Sequence, residues 1–112
     1  MPNHIDMKLL FICNQNQHRS KTAEDIFKEK FEVKSAGLFN SNPVTKEQID
    51  WAEIIIVMEN FQRAEIARRF PKEYMKKRIV SLDIPDVYLR GDPELIKILE
   101  NRMEKLTKII FS

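Results

Sequence analysis

Apolar and polar positions fall in blocks along this chain, and the spacing within each block sets the elements. Residues 7–13 form a near-continuous apolar run after Lys8, the pattern of a strand covered on both faces, as in a parallel sheet. From Ser20 to Lys30 the apolar positions Ala23, Ile26 and Phe27, continued by Phe31, share one helical stripe. Residues 31–35 alternate and predict a short edge strand that Ala36-Gly37 ends; a polar loop rich in Asn and Ser follows to Pro43. Thr45-Lys46-Glu47-Gln48 fits a capping box, so a short helix is predicted from Lys46 to Ala52. Residues 54–58, β-branched and apolar, form the clearest strand, expected at the centre of the sheet. A helix starting at Glu59 or Asn60 is expected to turn Phe61, Ala64, Ile66, Ala67 and Phe70 inward until Pro71 stops it.

Residues 72–77 then predict a helical turn and residues 79–82 a fourth strand. A loop follows from Asp83 to Tyr88, because Pro85 cannot continue a strand. Asp92 caps a last helix with Pro93 at its first position. Its helical stripe is Leu95, Ile98, Leu99, Arg102, Met103, Leu106 and Ile110. Trp51 and the methionines sit at core-like spacings and read as packing. Strands alternating with helices predict the α/β class: a three-layer open sheet of about four parallel strands with helices on both faces. Residues 7–112 make one domain, and residues 1–6 read as a loose leader.

Composition narrows the function classes. At 112 residues, 43% hydrophobic and 32% charged, the chain suits one globular core. A net charge of +2 is too small to argue for nucleic acid. Arg68, Arg69, Lys72, Lys76, Lys77 and Arg78 form a basic run, but no stacking aromatics are interleaved, so it reads as a solvated face rather than a nucleic-acid surface. One cysteine excludes an internal disulfide and any multi-cysteine metal site, and no metal or cofactor is expected. A free thiol meant to react suits a reducing compartment, the cytoplasm. No secretory signal pattern opens the chain, and no apolar run approaches the ~20 residues of a membrane helix.

The chemistry gathers in Cys13-Asn14-Gln15-Asn16-Gln17-His18-Arg19-Ser20, between the first strand and the first helix. A helix start aims unpaired N–H groups and a positive dipole end at the loop before it, which attracts an anion, usually phosphate. Arg19 adds a planar fork of donors for two oxygens, and the same field favours a thiolate at Cys13. Asn14, Gln15, Asn16, Gln17, His18, Arg19 and Ser20 are the expected phosphate-binding residues. Asn16, with Asn14 as a second candidate, supplies the left-handed backbone such a loop needs without glycine. Ser20 either donates to the sulfur or simply caps the helix, and the two roles are compatible. His18 is expected to point outward. The carboxyl ends of parallel strands share one cleft, so the loop from Asp83 to Tyr88 is expected to face Cys13.

The motif Cys13-x5-Arg19-Ser20 after Leu10-Phe11-Ile12, with Asn16 and Ala23-Glu24, resembles the opening of the low-molecular-weight protein tyrosine phosphatases. Ser35-Ala36-Gly37, the stretch from Val44 through Glu59, and Asp86-Val87-Tyr88 with Asp92 are similar to later segments of that family. The resemblance runs in order from Met7 to Leu106 and implies a phosphotyrosine phosphatase I-like fold. The departures are a shortened segment between Gly37 and Val44, Gln15 for the family's loop glycine, His18 for a frequent second cysteine, and valine after Asp86.

The resemblance implies hydrolysis of a phosphomonoester, by a protein tyrosine phosphatase or a near relative. Cys13 would be the nucleophile, Arg19 the oxyanion clamp and Asp86 the general acid, with Asp83 the rival acid. Phe39 and Tyr88 are the aromatic candidates to wall the substrate slot, although Phe39 equally suits an ordinary core or loop contact. The expected partner is a phosphorylated protein or a small aryl phosphate, with no membrane. Three alternatives stand beside this: a phospho-ligand binding module without catalysis, a single-cysteine arsenate reductase using an external thiol, and a phosphocysteine carrier, for which Arg19 is unexpected.

Overall fold

A computed structural model describes residues 5–110. The elements run β1 (Ile5–Cys13), α1 (Arg19–Phe27), β2 (Phe31–Gly37), α2 (Lys46–Trp51), β3 (Ile54–Val57), α3 (Asn60–Arg69), α4 (Pro71–Lys76), β4 (Arg78–Ser81) and α5 (Pro93–Ile110). All three strand pairings are parallel, and the spatial order is β2-β1-β3-β4. Side chains alternate across each strand, so the sheet has two buried faces. Leu9, Phe11, Ile54 and Ile56 pack with Ala23 and Phe27 of α1 and with Leu95, Leu99, Met103 and Leu106 of α5. Leu10, Ile12, Ile55 and Val57 pack on the other face with Ile49 and Ile66, and with Tyr74 of α4 at its margin. The three-layer α/β architecture read from the pattern is the one observed, with β2 an edge strand and β3 central.

Strand β1 lies between β2 and β3, which the chain reaches by crossovers in opposite directions. Its carboxyl end is therefore the point where open α/β sheets bind ligands. No helix among the described residues is long and apolar enough to cross a membrane.

Several expectations change in detail. The leader was expected to reach residue 6, but Ile5 pairs with Phe31 and its N–H donates to the Lys30 carbonyl at 2.6 Å, so β1 takes in residues 5 and 6. The rest of the expected leader, residues 1–4, lies outside the described residues. Strand β2 continues through Ala36-Gly37, because Ile12 and Cys13 pair with those two residues.

Helix α3 does not bury Phe61 or Ala64: Phe61 is 48% exposed, and the inward positions belong to Gln62 and Ile66. The reason is polar. The Gln62 Oε1 accepts from the backbone N–H groups of Met58 and Glu59 at 2.8 and 2.9 Å, and its Nε2 donates to Asn14. A buried amide with its hydrogen bonds made outweighs the apolar pattern at that face. Met75 is 86% exposed and is not core, unlike Met58 and Met103. Trp51 is half-buried, with the Lys34 ammonium 4.5 Å from its ring centroid.

Gly37, directly beside Cys13 in the sheet, is demanded by close approach rather than by backbone twist. A Cβ there would stand 2.5 Å from Asn40 Oδ1 and 3.0 Å from the Asn14 carbonyl oxygen. Gly37→Ala is expected to lower the free energy of unfolding by about 1–3 kcal/mol, as overpacking does. The check is an earlier urea midpoint at unchanged slope; an unchanged midpoint would mean that Asn40 yields freely and glycine is not required.

Candidate active site

The first crossover places the only cysteine under a tight loop. Cys13 ends β1, residues 14–18 turn, and α1 starts at Arg19 with His18 as its cap residue. Asn16 takes a positive φ of 54°, the left-handed geometry expected of it, while Asn14 does not. Among the described residues, the backbone N–H groups of Asn14, Gln15, Asn16, Gln17 and His18 donate to no protein acceptor. The carbonyls behave oppositely. That of Asn14 accepts from Leu38 and Phe39 at 3.0 and 2.8 Å, and that of His18 from Thr22 at 2.9 Å. The Asn14 side-chain oxygen accepts from Gln62 Nε2 at 3.0 Å. The loop is thus held through its acceptors, with its donors left over, which is the arrangement that binds an anion.

Ser20 Oγ lies 3.0 Å from Cys13 Sγ and 2.8 Å from Asn16 Oδ1. The hydroxyl has one hydrogen and two neighbours that accept it. A thiolate draws that hydrogen to sulfur; a thiol gives its own to Oγ and leaves the hydroxyl hydrogen to Asn16. Ser20 thereby links the charge on sulfur to the residue that sets the loop's left-handed turn.

Arg19 is 1% exposed. One edge of its guanidinium is occupied: Nη1 donates to Glu59 Oε1 and to the Ile84 carbonyl, each at 2.6 Å. The other edge is not. Nε and Nη2 are buried with no hydrogen-bond partner among the described residues, and the nearest carboxylate, Asp86 Oδ1, is 3.6 Å from Nε. Two parallel donors left open on a fixed plane match two oxygens of a phosphate.

A small hollow of about 50 Å³ is lined by Cys13, Asn14, Gln15, Gln17, His18, Arg19 and Asp86. Cys13, Arg19 and Asp86 therefore meet at one opening; Asn16 and Ser20 are not among its lining residues. Asp83 is elsewhere: at a positive φ of 56° it accepts from Ser81 Oγ at 3.0 Å and lines a different hollow against α5. Neither expected aromatic wall is among the lining residues. Tyr88 packs against the core beside α1 and α5. Phe39 is half-exposed, with the Arg69 guanidinium 5.2 Å from its ring centroid. His18 does not point outward as expected; it lines the hollow, and its Nδ1 accepts from the Arg90 backbone N–H at 3.2 Å.

The basic run is partly tied down. Hydrogen bonds from Arg68, then Arg69, hold the Glu65 carboxyl down to about 2, and Lys77 Nζ donates to the Asp50 and Ala52 carbonyls. Sequence reasoning missed Glu59 and Gln62 as supports of the site. Glu59-x-x-Gln62 just before an expected helix was the available signal. Nothing in the sequence marks the Ile84 carbonyl.

No family model matches the chain. A protein-arginine-phosphatase of Geobacillus stearothermophilus is 29% identical to it over 141 residues, covering 88% of this chain and 95% of that protein. The solved structure of the YwlE arginine phosphatase from the same organism is similar, with a TM-score of 0.69 at 25% identity over 91% of this chain and 94% of that one. A low-molecular-weight phosphotyrosine phosphatase from Vibrio cholerae O395 shares the fold, with a TM-score of 0.73 at 19% identity over 95% of this chain and 97% of that one. The chain is thus similar over most of its length to an arginine phosphatase, and the fold around Cys13, Arg19 and Ser20 at the carboxyl end of β1 is that of the low-molecular-weight protein tyrosine phosphatases.

Proposed function

We propose that this protein hydrolyses phosphorylated proteins through a cysteinyl-phosphate intermediate. One observation carries the reading: Arg19, buried and with no hydrogen-bond partner for Nε and Nη2 among the described residues, lines one hollow with Cys13 and Asp86, whose Oδ1 is 3.6 Å from Nε. In the first step the Cys13 thiolate attacks phosphorus in line, the bond from phosphorus to the leaving atom breaks, and Asp86 gives that atom its proton. The loop N–H groups and Arg19 hold the equatorial oxygens as charge develops, each such preorganised donor contributing about 3 kcal/mol. In the second step water attacks phosphorus, Asp86 takes the water proton, the phosphorus–sulfur bond breaks, and Ser20 donates to the returning thiolate. Inorganic phosphate leaves. The free reactive thiol supports the cytoplasm as the place of work.

The leaving group admits two readings. Phosphotyrosine is the substrate the family name carries. Phosphoarginine is favoured by one feature of the site: Asn14, Gln15, Gln17, His18 and Asp86 line it with amides, an imidazole and a carboxylate, and no apolar side chain joins them. Amide and carboxylate oxygens accept from a guanidinium, whereas a phenyl ring gains little from such a wall. The arginine phosphatases among the similar proteins support the same choice.

Release of p-nitrophenol from p-nitrophenyl phosphate is expected from the native chain and abolished in Cys13→Ser. A chain that binds phosphate yet releases no p-nitrophenol would be the binding module instead, and release that survives Cys13→Ser would remove the sulfur from the mechanism. Asp86→Asn is expected to slow phenyl phosphate turnover by roughly 10²–10⁴-fold, while Asp83→Asn stays near the native rate; the reverse pattern would move the acid to Asp83. Competed against each other, a phosphoarginine peptide is expected to be consumed faster than the phosphotyrosine peptide of the same sequence, followed by phosphate release. Preference for phosphotyrosine would reject the polar-wall argument.

A further inference from the structure

Asp86 is half-exposed on a loop that leaves β4 and must return to α5, so its placement depends on how that loop is rooted. The first root is buried: Ile84 donates its N–H to the Met58 carbonyl at 2.8 Å, and its own carbonyl accepts from Arg19. The second root lies at Arg90-Gly91, and all its ties go to one helix. The Arg90 N–H donates to His18 Nδ1 at 3.2 Å. The Arg90 guanidinium meets both oxygens of Asp25, Nε and Nη2 each at 2.9 Å. The Gly91 N–H donates to Thr22 Oγ1 at 3.1 Å. His18, the cap of α1, and Thr22 and Asp25 within it are spaced i, i+4 and i+7, so they lie on one side of the helix and its cap. Gly91 has open space around its Cβ position but a φ of 80°, so it is the turn, not crowding, that calls for glycine there.

We infer that this three-point pin makes His18, Asp25 and Arg90 positioning residues for the general acid. The inference rests on the reading of Asp86 as that acid. The helix that supplies the anion cradle also fixes the far end of the acid loop, so the two halves of the site are set against each other through α1. An exposed ion pair adds little to stability, but Arg90 meets Asp25 at both carboxylate oxygens and so fixes direction as well as distance. The Nδ1 that accepts from Arg90 carries no proton in this arrangement, so the contact needs an acceptor at His18 and not merely a ring.

The test compares kcat/KM for phenyl phosphate, whose leaving group needs a proton, with that for 2,4-dinitrophenyl phosphate, whose leaving group does not. Arg90→Ala is expected to lower the phenyl phosphate value by roughly 10- to 100-fold, the scale of a misplaced catalytic group. The dinitrophenyl value and inhibition by inorganic phosphate should stay unchanged. The charge exchange Asp25→Arg with Arg90→Asp should restore most of the loss, and His18→Asn should retain more phenyl phosphate activity than His18→Leu. Equal loss on both substrates would mean the pin serves the cradle, and no loss on either would mean it serves neither; both results overturn the inference. Asp86→Asn is the control. Selective loss there without selective loss in Arg90→Ala defeats the pin alone, while no selective loss in Asp86→Asn defeats the acid assignment and the pin with it.

Discussion

A guanidinium taken almost wholly out of water is the constraint from which the site follows. Burying an unpaired charge costs several kcal/mol, so Arg19 requires compensation wherever it sits. The fold supplies hydrogen-bond acceptors at Nη1 only, the Glu59 carboxylate and the Ile84 carbonyl, and sets the Asp86 carboxylate 3.6 Å from Nε. Glu59 follows the end of β3 and Ile84 follows β4, so the ends of two strands converge on a residue that opens the helix after β1. Leaving two further donors buried without partners costs about 1–3 kcal/mol each by ordinary accounting. Sites that work on ligands are where such local conflicts are kept.

The loop before Arg19 is built under a second conflict, because it must turn its N–H groups away from the protein without a glycine. Asn16 resolves this with a left-handed backbone, the conformation Asn tolerates best among side-chain-bearing residues. Its carboxamide accepts from Ser20, so the residue that strains the turn also braces it. Further support comes from outside the loop. Leu38 and Phe39 hold the Asn14 carbonyl from the segment after β2, and Gln62 holds its side chain from α3. In that segment Phe39 stands beside solvent and Arg69, not in the lining of the hollow.

Much of this was legible in the sequence, for identifiable reasons. Strand and helix blocks gave the element order because β1 and β3 are apolar on both faces, β2 alternates and α5 carries a clear stripe. Thr45 and Gln48 form the expected reciprocal cap on α2, since both partners lie within four residues. The Cys13–Ser20 stretch was legible because its parts are contiguous. What escaped was long-range. The bond from Gln62 to Asn14 joins residues 48 positions apart, so the local Glu59-x-x-Gln62 signal could not show that Gln62 supports the loop. His18 was misplaced because the backbone it meets lies 72 positions later. Apolar Phe61 shows the reverse error, where pattern implied burial and the polar neighbour Gln62 took the inward position; Met75 lies on α4, which has no buried residue.

The Arg19–Ile84 hydrogen bond joins residues 65 positions apart across a sheet in which every neighbouring pair is parallel and non-local. No local fragment of the chain can assemble both sides of the opening; β1, β3 and β4 must already lie in register. An oxyanion clasped there would favour the fully folded chain over every partly folded one, adding RT ln(1 + [L]/Kd) to its stability. Local fraying of the C-terminal turns of α5 would go unaffected, whereas escape of the whole sheet would slow as occupancy rises. An occupied opening would thus act as a fastener for the whole sheet.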